Sequence, residues 1–439
     1  MVFILLLPTT RAAISTKEGA KCLPLPWVKT QKKLHVKTYK TLLAGSLALA
    51  FAVSAHAQTV IHIAGSTAFR AATITAIEKA LTAGGSFTYA YVGTAPFVAG
   101  NEKKAGQAIF KGNLVINGNH VPVEFKTSWE GSVGGVADLV KNLTVGKGGS
   151  AYPNGGGGWL ANSNLPASGG TVVPSTAPLD PALTPDIAMS DSFQKSTPFT
   201  STTLSGKIVG VVPFKWVKGR ATSLSALTNI TTAQAYALLK GSFTFNGAKV
   251  YAIGRDEDSG TRLDSYENAS GGIDNGDIGP GPTYPSVPKQ YQFAASGTPT
   301  LWPAPVTVDG FTYPNAGHSG FASGGTLGTT LNGATTVPYI GYLGINDAAS
   351  VNGGANGLAF NSHTYSAANV ESGAYTFWDY EHLLFRSTLS GTALLVAQQL
   401  ESFVAANASV SGVAVASMTV HRNGDGTSIL AGGTPPNVP

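Results

Sequence analysis

The residues best suited to chemistry form the segment Arg255-Asp-Glu-Asp-Ser-Gly-Thr261, in which an arginine precedes a Ser-Gly-Thr turn by four residues. We predict that this turn opens a helix. The hydroxyls of Ser259 and Thr261, the N–H groups of the first helical turn and the guanidinium of Arg255 would then suit a tetrahedral oxyanion. The alternative interpretation is an ordinary salt bridge between Arg255 and one of the three intervening acids.

Two further Gly/Ser turns precede expected helices, at Gly65-Ser66-Thr67 and at Gly131-Ser132. Each on its own could simply start a helix in a chain with 54 glycines. Ser190-Asp191 could likewise be an ordinary helix N-cap. Three such turns together with one arginine predict a cage of donors that closes on a single anion.

The elements that position these turns begin after residue 57. Residues 1–57 contain the only cysteine, and Lys37 and Lys40 lead into the apolar run Thr41–Val53. Ala55-His56-Ala57 follows as an A-x-A cleavage site, which is typical of a secretory signal peptide cleaved before Gln58. The basic leader is unusually long. We therefore hypothesise that translation starts at Val36 through a non-AUG codon, which N-terminal sequencing of the precursor would test.

The net charge of the processed chain differs from that of the whole sequence. Residues 1–57 hold eight of the 28 Lys and Arg and one of the 23 acids, which leaves 20 basic and 22 acidic residues. A charge of about −2 gives no reason to expect nucleic-acid binding or an anionic membrane partner. No cysteine remains for disulfides or thiolate metal sites, and the six histidines after residue 57 have no metal-ligand spacing.

Strands alternating with helices predict an α/β protein, and its length after cleavage suits two compact cores. Two Gly/Ser-rich regions, 146–175 and 270–333, interrupt the pattern and are expected to be an exposed loop and a surface insertion. The residues after Gly426 are expected to be disordered. Expected strands and helices lie at Gln58–Ala64, Ala68–Ala83, Phe87–Val92, Leu114–Phe125, Ile208–Val212, Ala235–Lys240, Val250–Ile253, Pro338–Gly344 and Ser390–Ala405.

The set of these motifs and their order along the chain resemble those of the periplasmic phosphate-binding proteins of ABC importers. These are type II two-lobed solute-binding proteins. The matching segments are Ile63-Ala-Gly-Ser-Thr-Ala-Phe69, Gly131-Ser-Val-Gly-Gly135, Ala188-Met-Ser-Asp191, Arg255–Thr261 and Ile340-Gly-Tyr-Leu-Gly344. The resemblance implies two lobes, each a mixed sheet flanked by helices, with the ligand in the cleft between them. It places lobe 1 at 58–212 and 380–439 and lobe 2 at 213–379, with crossovers near Gly210–Pro213 and Ala374–Glu381.

The resemblance also implies a set of ligand contacts for phosphate: Ser66, Thr67, Phe69, Ser132, Asp191, Arg255, Ser259, Gly260 and Thr261. Asp191 is the informative member, because a carboxylate only accepts hydrogen bonds and needs a proton on the ligand. Hydrogen phosphate carries such a proton at neutral pH and sulfate does not, so Asp191 is expected to select phosphate. The acid-rich interval after Arg255 and the long insertions depart from the family pattern.

These expectations favour a periplasmic or secreted, non-catalytic binding protein that passes inorganic phosphate to an inner-membrane ABC permease. No cofactor or metal is expected, and a monomer is. The alternative is an extracellular surface or adhesion protein that uses this fold without tight phosphate binding. A secreted phosphatase is a third, weaker hypothesis, because the sequence offers no nucleophile–base pair and no metal cluster. Trp378-Asp-Tyr-Glu-His382 is interpreted as a packed hinge strand rather than a site.

Overall fold

The computed structural model describes residues 58–143, 158–270, 288–313, 316–317 and 319–436. These described residues form one compact unit. The leader predicted over residues 1–57 lies outside the described residues. None of the helices in the described ranges is long and apolar enough to cross a membrane.

Ten strands form one mixed sheet, in the order β11-β14-β7-β16-β6-β1-β4-β3-β2-β5. These strands are β1 (Thr59–Gly65), β2 (Thr88–Val92), β3 (Gln107–Ile116), β4 (Asn119–Ser128), β5 (Gly169–Val173), β6 (Ile187–Ser190), β7 (Leu204–Lys218), β11 (Tyr251–Ala252), β14 (Tyr339–Gly344) and β16 (Trp378–Arg386). Four two-stranded ribbons complete the set: β8 (Asn229–Ile230) with β15 (Ala359–Phe360), β9 (Thr244–Phe245) with β10 (Ala248–Lys249), β12 (Val306–Val308) with β13 (Phe311–Tyr313), and β17 (Val420–His421) with β18 (Leu430–Ala431).

In the described ranges eight α-helices accompany these strands: α1 (Arg70–Ala83), α2 (Ser132–Lys141), α3 (Thr232–Leu239), α4 (Gly260–Ser270), α5 (Gly324–Gly333), α6 (Ile345–Ser350), α7 (Ala367–Glu371) and α8 (Gly391–Ala406). The α/β class predicted from the sequence is confirmed. Local chemistry explains the start of α3, where Thr231 and Gln234 form a capping box. Asn117 and Gly118, both with positive φ, make the two-residue turn between β3 and β4.

The long strand β7 joins two parts of the sheet. Its first residues, Leu204–Pro213, pair with β16, and its last residues, Phe214–Lys218, pair with β14. The division into lobes at residues 212 and 379 stays a prediction.

The direction of the strands determines where their carboxyl ends meet. β1 is parallel to β4 and to β6, and β6 is antiparallel to β16 with Ser190 opposite His382. β11 is parallel to β14, which is antiparallel to β7. The carboxyl ends of β1, β6 and β11 therefore all point towards the middle of β7, from opposite sides. Ligands of open α/β sheets bind at such ends.

Three regions differ from their sequence-based expectations. Residues 169–173, expected to be loop, form the edge strand β5 parallel to β2. Residues 324–333, expected to belong to a structureless insertion, form α5, which Ser323 caps by accepting a hydrogen bond from the Thr326 N–H group. Leu430–Ala431, in the tail expected to be disordered, pairs with Val420–His421. Glycine-rich composition hid each element, because pairing and packing of the backbone outweigh low intrinsic propensity.

Candidate functional site

A buried carboxylate, Asp191, directly follows β6. It lies at the junction, the region beside the middle of β7 where the two parts of the sheet meet. The Ser132 hydroxyl donates to Asp191 Oδ1 in a short hydrogen bond. The Thr261 hydroxyl donates to Oδ2 at 2.9 Å. The backbone N–H of Asp191 in turn donates to Ser132 Oγ at 3.1 Å. Three predicted site residues from distant parts of the sequence therefore meet at one carboxylate that is 1% exposed.

Burial raises the pKa of Asp191 above its usual range, and several groups oppose this effect. In decreasing order, they are the hydroxyls of Ser132 and Thr261, the positive charge of Arg255 and the backbone of Asp191 itself. Donors of this kind stabilise the ionised form of a carboxyl group. Each Asp191 oxygen accepts a hydroxyl hydrogen bond, and the Arg255 charge also favours the ionised form. Asp191 is therefore suited to act as an acceptor.

Gly260 and Ser259 form the start of α4, next to Asp191. A Cβ on Gly260 would lie 1.8 Å from Asp191 Oδ1, so only glycine fits there. Ser259 Oγ accepts from the Arg262 N–H at 3.2 Å, which is the bond expected of an N-cap serine. The Ser259 hydroxyl thus serves the helix, while the first N–H groups of α4 have no carbonyl partner inside the helix.

The N-terminus of α2 is used differently from the sequence-based expectation of a free donor site. The N–H groups of Val133 and Gly134 donate to the backbone carbonyl of Asp258 at 2.9 and 3.2 Å. Gly131, with a φ of 131°, permits this contact, because a Cβ there would lie 2.3 Å from the same oxygen. In this arrangement Ser132 reaches the site through its side chain.

Arg255 is positioned by neutral groups. Its Nε donates to the Phe321 carbonyl at 3.0 Å, and Nη2 donates to the Ala322 carbonyl at 2.8 Å. Its Nη1 donates to the Thr67 hydroxyl at 3.4 Å. Among the described residues it forms no ion pair with a carboxylate, which argues against the ordinary salt bridge considered from the sequence.

The backbone of Arg255 is also fixed, by side chains that sequence analysis did not select. Its N–H donates to the Tyr342 hydroxyl at 3.1 Å, and its carbonyl accepts from Gln290 Nε2 at 2.8 Å. The Tyr342 hydroxyl also donates to Gln290 Oε1 in a short hydrogen bond. The two side chains that hold the Arg255 backbone are therefore bonded to each other. Gln290 lies inside the second Gly/Ser-rich region, residues 270–333, so no spacing in the sequence linked it to Arg255.

The three acids after Arg255 lie in different surroundings. Burial raises the pKa of Asp256 to about 7, an effect that the charge of Arg255 partly opposes. Glu257 is close enough to Arg262 for that charge to oppose the effect of burial on its pKa. Burial raises the pKa of Asp258 well above its usual value, and the neighbouring Asp309 raises it further. Glu257 and Asp258 are thus directed to partners other than Arg255.

Residues 66–69 after β1 supply the remaining predicted contacts. The Ser66 hydroxyl donates to Glu381 Oε2 at 3.2 Å, and the Thr67 hydroxyl accepts from Arg255. Phe69 is fully buried in the hydrophobic core, and its ring occupies the space above Gly210, where a Cβ would lie 2.3 Å from Cζ. The side chain of Phe69 thus anchors the turn in the core. Its backbone N–H donates to the Ser66 hydroxyl oxygen at 3.4 Å.

Glu381 is a further residue that sequence analysis did not select. It lies on β16 opposite Gly210, at a β-bulge before His382, and it is fully buried. Bulges re-aim side chains beside functional sites. The signal was present, since Trp378-Asp-Tyr-Glu-His382 carries two acids in a strand that is otherwise apolar or aromatic. The sequence favours a packed hinge strand for this segment, and all its residues are buried.

Comparison with known proteins gives the following. No protein-family profile matches the chain, and no curated protein matches it. Among solved structures, it is similar to a putative phosphate ABC transporter substrate-binding protein with bound phosphate from Clostridium perfringens (TM-score 0.43, 11% identity, 81% of this chain and 99% of that chain). It is also similar to an ABC-type phosphate transport receptor from Vibrio cholerae (TM-score 0.40, 14% identity, 78% and 93%). A third is PstS from Borrelia burgdorferi (TM-score 0.34, 14% identity, 79% and 93%). At these scores the likeness adds nothing to the fold described above.

Proposed function

We propose that this chain is a non-catalytic solute-binding protein that captures inorganic phosphate at the junction of the two sheet parts and passes it to an inner-membrane ABC permease. Its expected compartment is the periplasm or the medium, after cleavage behind Ala57. One observation carries the proposal: the Asp191 carboxylate is enclosed by hydroxyl donors, with the Arg255 guanidinium near it and free of any ion pair in the described residues.

The chemistry of this arrangement suits a protonated oxyanion. The hydroxyls of Ser132 and Thr261 donate to Asp191, so the first N–H groups of α4 and the Arg255 guanidinium stabilise the negative oxygens of the ligand. Asp191 can only accept, so a ligand without a proton would leave it facing negative charge in a buried site. An unpaired buried acceptor costs about 1–3 kcal/mol, and more when it is charged. Phosphate therefore fits and sulfate does not.

The contacts also come from both parts of the sheet. Ser66, Ser132 and Asp191 follow β1, β4 and β6, whereas Arg255 and Thr261 follow β11. A ligand that needs both groups binds the closed arrangement better than an open one, and this differential affinity drives closure.

Calorimetry on the processed protein tests the proposal. Protein purified after secretion would be freed of ligand by partial unfolding and refolding, then titrated with phosphate and with sulfate at neutral pH. We expect phosphate to bind and sulfate to be inert. Absence of binding for both ions would refute the proposal and favour the surface-protein alternative, and binding of both would refute the proton-selective role of Asp191.

The Asp191→Asn variant tests the site assignment. The amide keeps the size of the side chain but offers a donor to the ligand. We expect the ratio of the sulfate Kd to the phosphate Kd to fall by at least about tenfold, the equivalent of one hydrogen bond to a charged group. An unchanged ratio would place the binding site elsewhere. A permease gene beside the gene for this protein would support the transport role.

A further inference from the structure

A second buried carboxyl group, Glu381, faces the same junction as Asp191 but in different surroundings. Its Oε2 accepts a hydrogen bond from the Ser66 hydroxyl at 3.2 Å. Its Oε1 is buried and has no hydrogen-bond partner among the described residues. The side chain is fully buried on a strand that is covered on both faces over most of its length. One oxygen is therefore satisfied as an acceptor, and the other has no partner in the part of the chain that the structure describes.

The charged groups around Glu381 disfavour its ionised form. Burial raises the pKa of Glu381 well above its usual value, and the negative charge of Asp191 raises it further. The Ser66 hydroxyl opposes this effect. The neighbouring His382 on the same strand is fully buried, and burial lowers its pKa to about 4, so it supplies no positive charge at neutral pH.

The cations of the junction act on other groups. Arg255 stabilises the charge of Asp191. Arg70 at the start of α1 and Asp347 of α6 interact with each other and with Arg255. Asp191 thus has two hydroxyls and a guanidinium to stabilise its charge, whereas Glu381 has one hydroxyl. Two carboxyl groups whose environments differ in this way take opposite roles at one pH.

We propose that Glu381 is held as a neutral carboxylic acid and donates a hydrogen bond from its Oε1–H group to the bound oxyanion. This proposal rests on the proposed function, because it concerns phosphate bound at the same junction. Asp191 accepts from the hydroxyl of hydrogen phosphate, and Glu381 donates to one of its bare oxygens. A carboxylic acid kept neutral in an apolar site serves as a donor in this way in other proteins.

The proposal predicts how binding changes with pH. Loss of the Glu381 proton would place a third negatively charged group beside Asp191 and the ligand, so phosphate is released as the pH rises through the raised pKa of Glu381. Glu381→Gln keeps a neutral donor of the same size, and Glu381→Met fills the same space without one. All three proteins meet the same titration of the ligand, so ratios of their Kd values isolate the contribution of Glu381.

Calorimetric titration of phosphate into the wild type and both variants, from mildly acidic to alkaline pH, is the test. At neutral pH we expect Glu381→Gln to bind within about threefold of the wild type and Glu381→Met to bind about tenfold more weakly. In the alkaline range we expect the Gln variant to keep the affinity that the wild type loses. Parallel pH profiles of wild type and Gln variant, or equal binding by the Met variant, would overturn the proposal.

An infrared difference spectrum separates this proposal from the proposed function. The carbonyl stretch of a protonated carboxyl should appear at neutral pH in the wild type minus Glu381→Gln spectrum, with or without phosphate, and should titrate away at high pH. If phosphate binds but the band is absent, Glu381 is ionised and the proposal fails alone. If the band is present and phosphate does not bind to the wild type, the proposed function fails and the donor role of Glu381 fails with it. Thermal unfolding of each variant checks that it is folded.

Discussion

Gly260 lies so close to Asp191 that a Cβ on it would be 1.8 Å from the carboxylate oxygen Oδ1. The same Cβ would be 2.6 Å from Ser192 Oγ and 2.7 Å from the Ser132 Cβ. The first residue of α4 thus fits into the group of side chains that follow β4 and β6. A single added methyl group would push α4 away from this group and separate Thr261 from Asp191.

The first prediction concerns Gly260→Ala. We expect a loss of phosphate affinity of at least about 100-fold, because two charge-assisted contacts are broken at once. The matched control is Gly333→Ala at the end of α5, where a Cβ meets nothing within 4 Å. Calorimetry and thermal unfolding of both variants check this result. Similar affinity in the two variants would show that α4 does not form part of the site.

The second prediction concerns Arg255→Lys, which keeps the charge but loses the planar fork. Lysine cannot bind the carbonyls of Phe321 and Ala322 and also reach Thr67, so we expect about 10-fold weaker phosphate binding. Arg386→Lys is the control. Like Arg255, Arg386 donates to backbone carbonyls, in its case those of Leu139, Pro185 and Asp138. It should lose stability without a change in Kd. Equal effects on Kd would remove Arg255 from the site.

The third prediction is a pH dependence of stability. Burial raises the pKa of Asp425 from 3.8 to about 7, while Ser196 and the Phe193 N–H partly oppose this effect. The folded protein therefore keeps a proton that the unfolded chain releases, and the free energy of unfolding should fall as the pH rises from about 4 to about 7. Asp425→Asn should flatten this dependence in denaturant titrations. A variant with an unchanged slope would show that Asp425 is ionised throughout this range.

The fourth prediction concerns the buried ion pair beside the site. Arg422 Nη1 lies 3.7 Å from Asp379 Oδ1 and donates to Asn268 Oδ1 at 2.9 Å, and the guanidinium lies 4.6 Å from the centre of the Trp378 ring. Arg422→Met leaves Asp379 without its cation and should lower the free energy of unfolding by about 3–5 kcal/mol.

The control for Arg422 is Lys103→Met, at a partly exposed pair in which Lys103 Nζ lies 3.2 Å from Glu78 Oε2. Its loss should cost less than about 1 kcal/mol. Urea unfolding monitored by tryptophan fluorescence measures both variants. If Arg422→Met costs no more than Lys103→Met, Asp379 is protonated in the native state and the pair contributes little.

Much of this protein was determined by the sequence itself. The α/β class follows from alternating apolar strands and amphipathic helices, and the turn at Asn117-Gly118 and the capping box at Thr231 follow from local chemistry. The resemblance to phosphate-binding proteins implied a shared site for the hydroxyls at positions 132 and 261 and the carboxylate at 191, and these three side chains do meet. Local signals suffice here because each depends on backbone conformation within a few residues.

Only the tertiary structure decided which groups face one another. Pairing of Ser190 with His382 brings Glu381 next to Asp191, although 190 residues separate them. The Asp258 carbonyl takes the N–H groups of α2, and Phe69 enters the core instead of the cleft. Strand register and burial depend on contacts between distant segments, so no window of sequence contains them. The same burial raises the pKa of Glu381, because the free energy of a charge depends on what surrounds it.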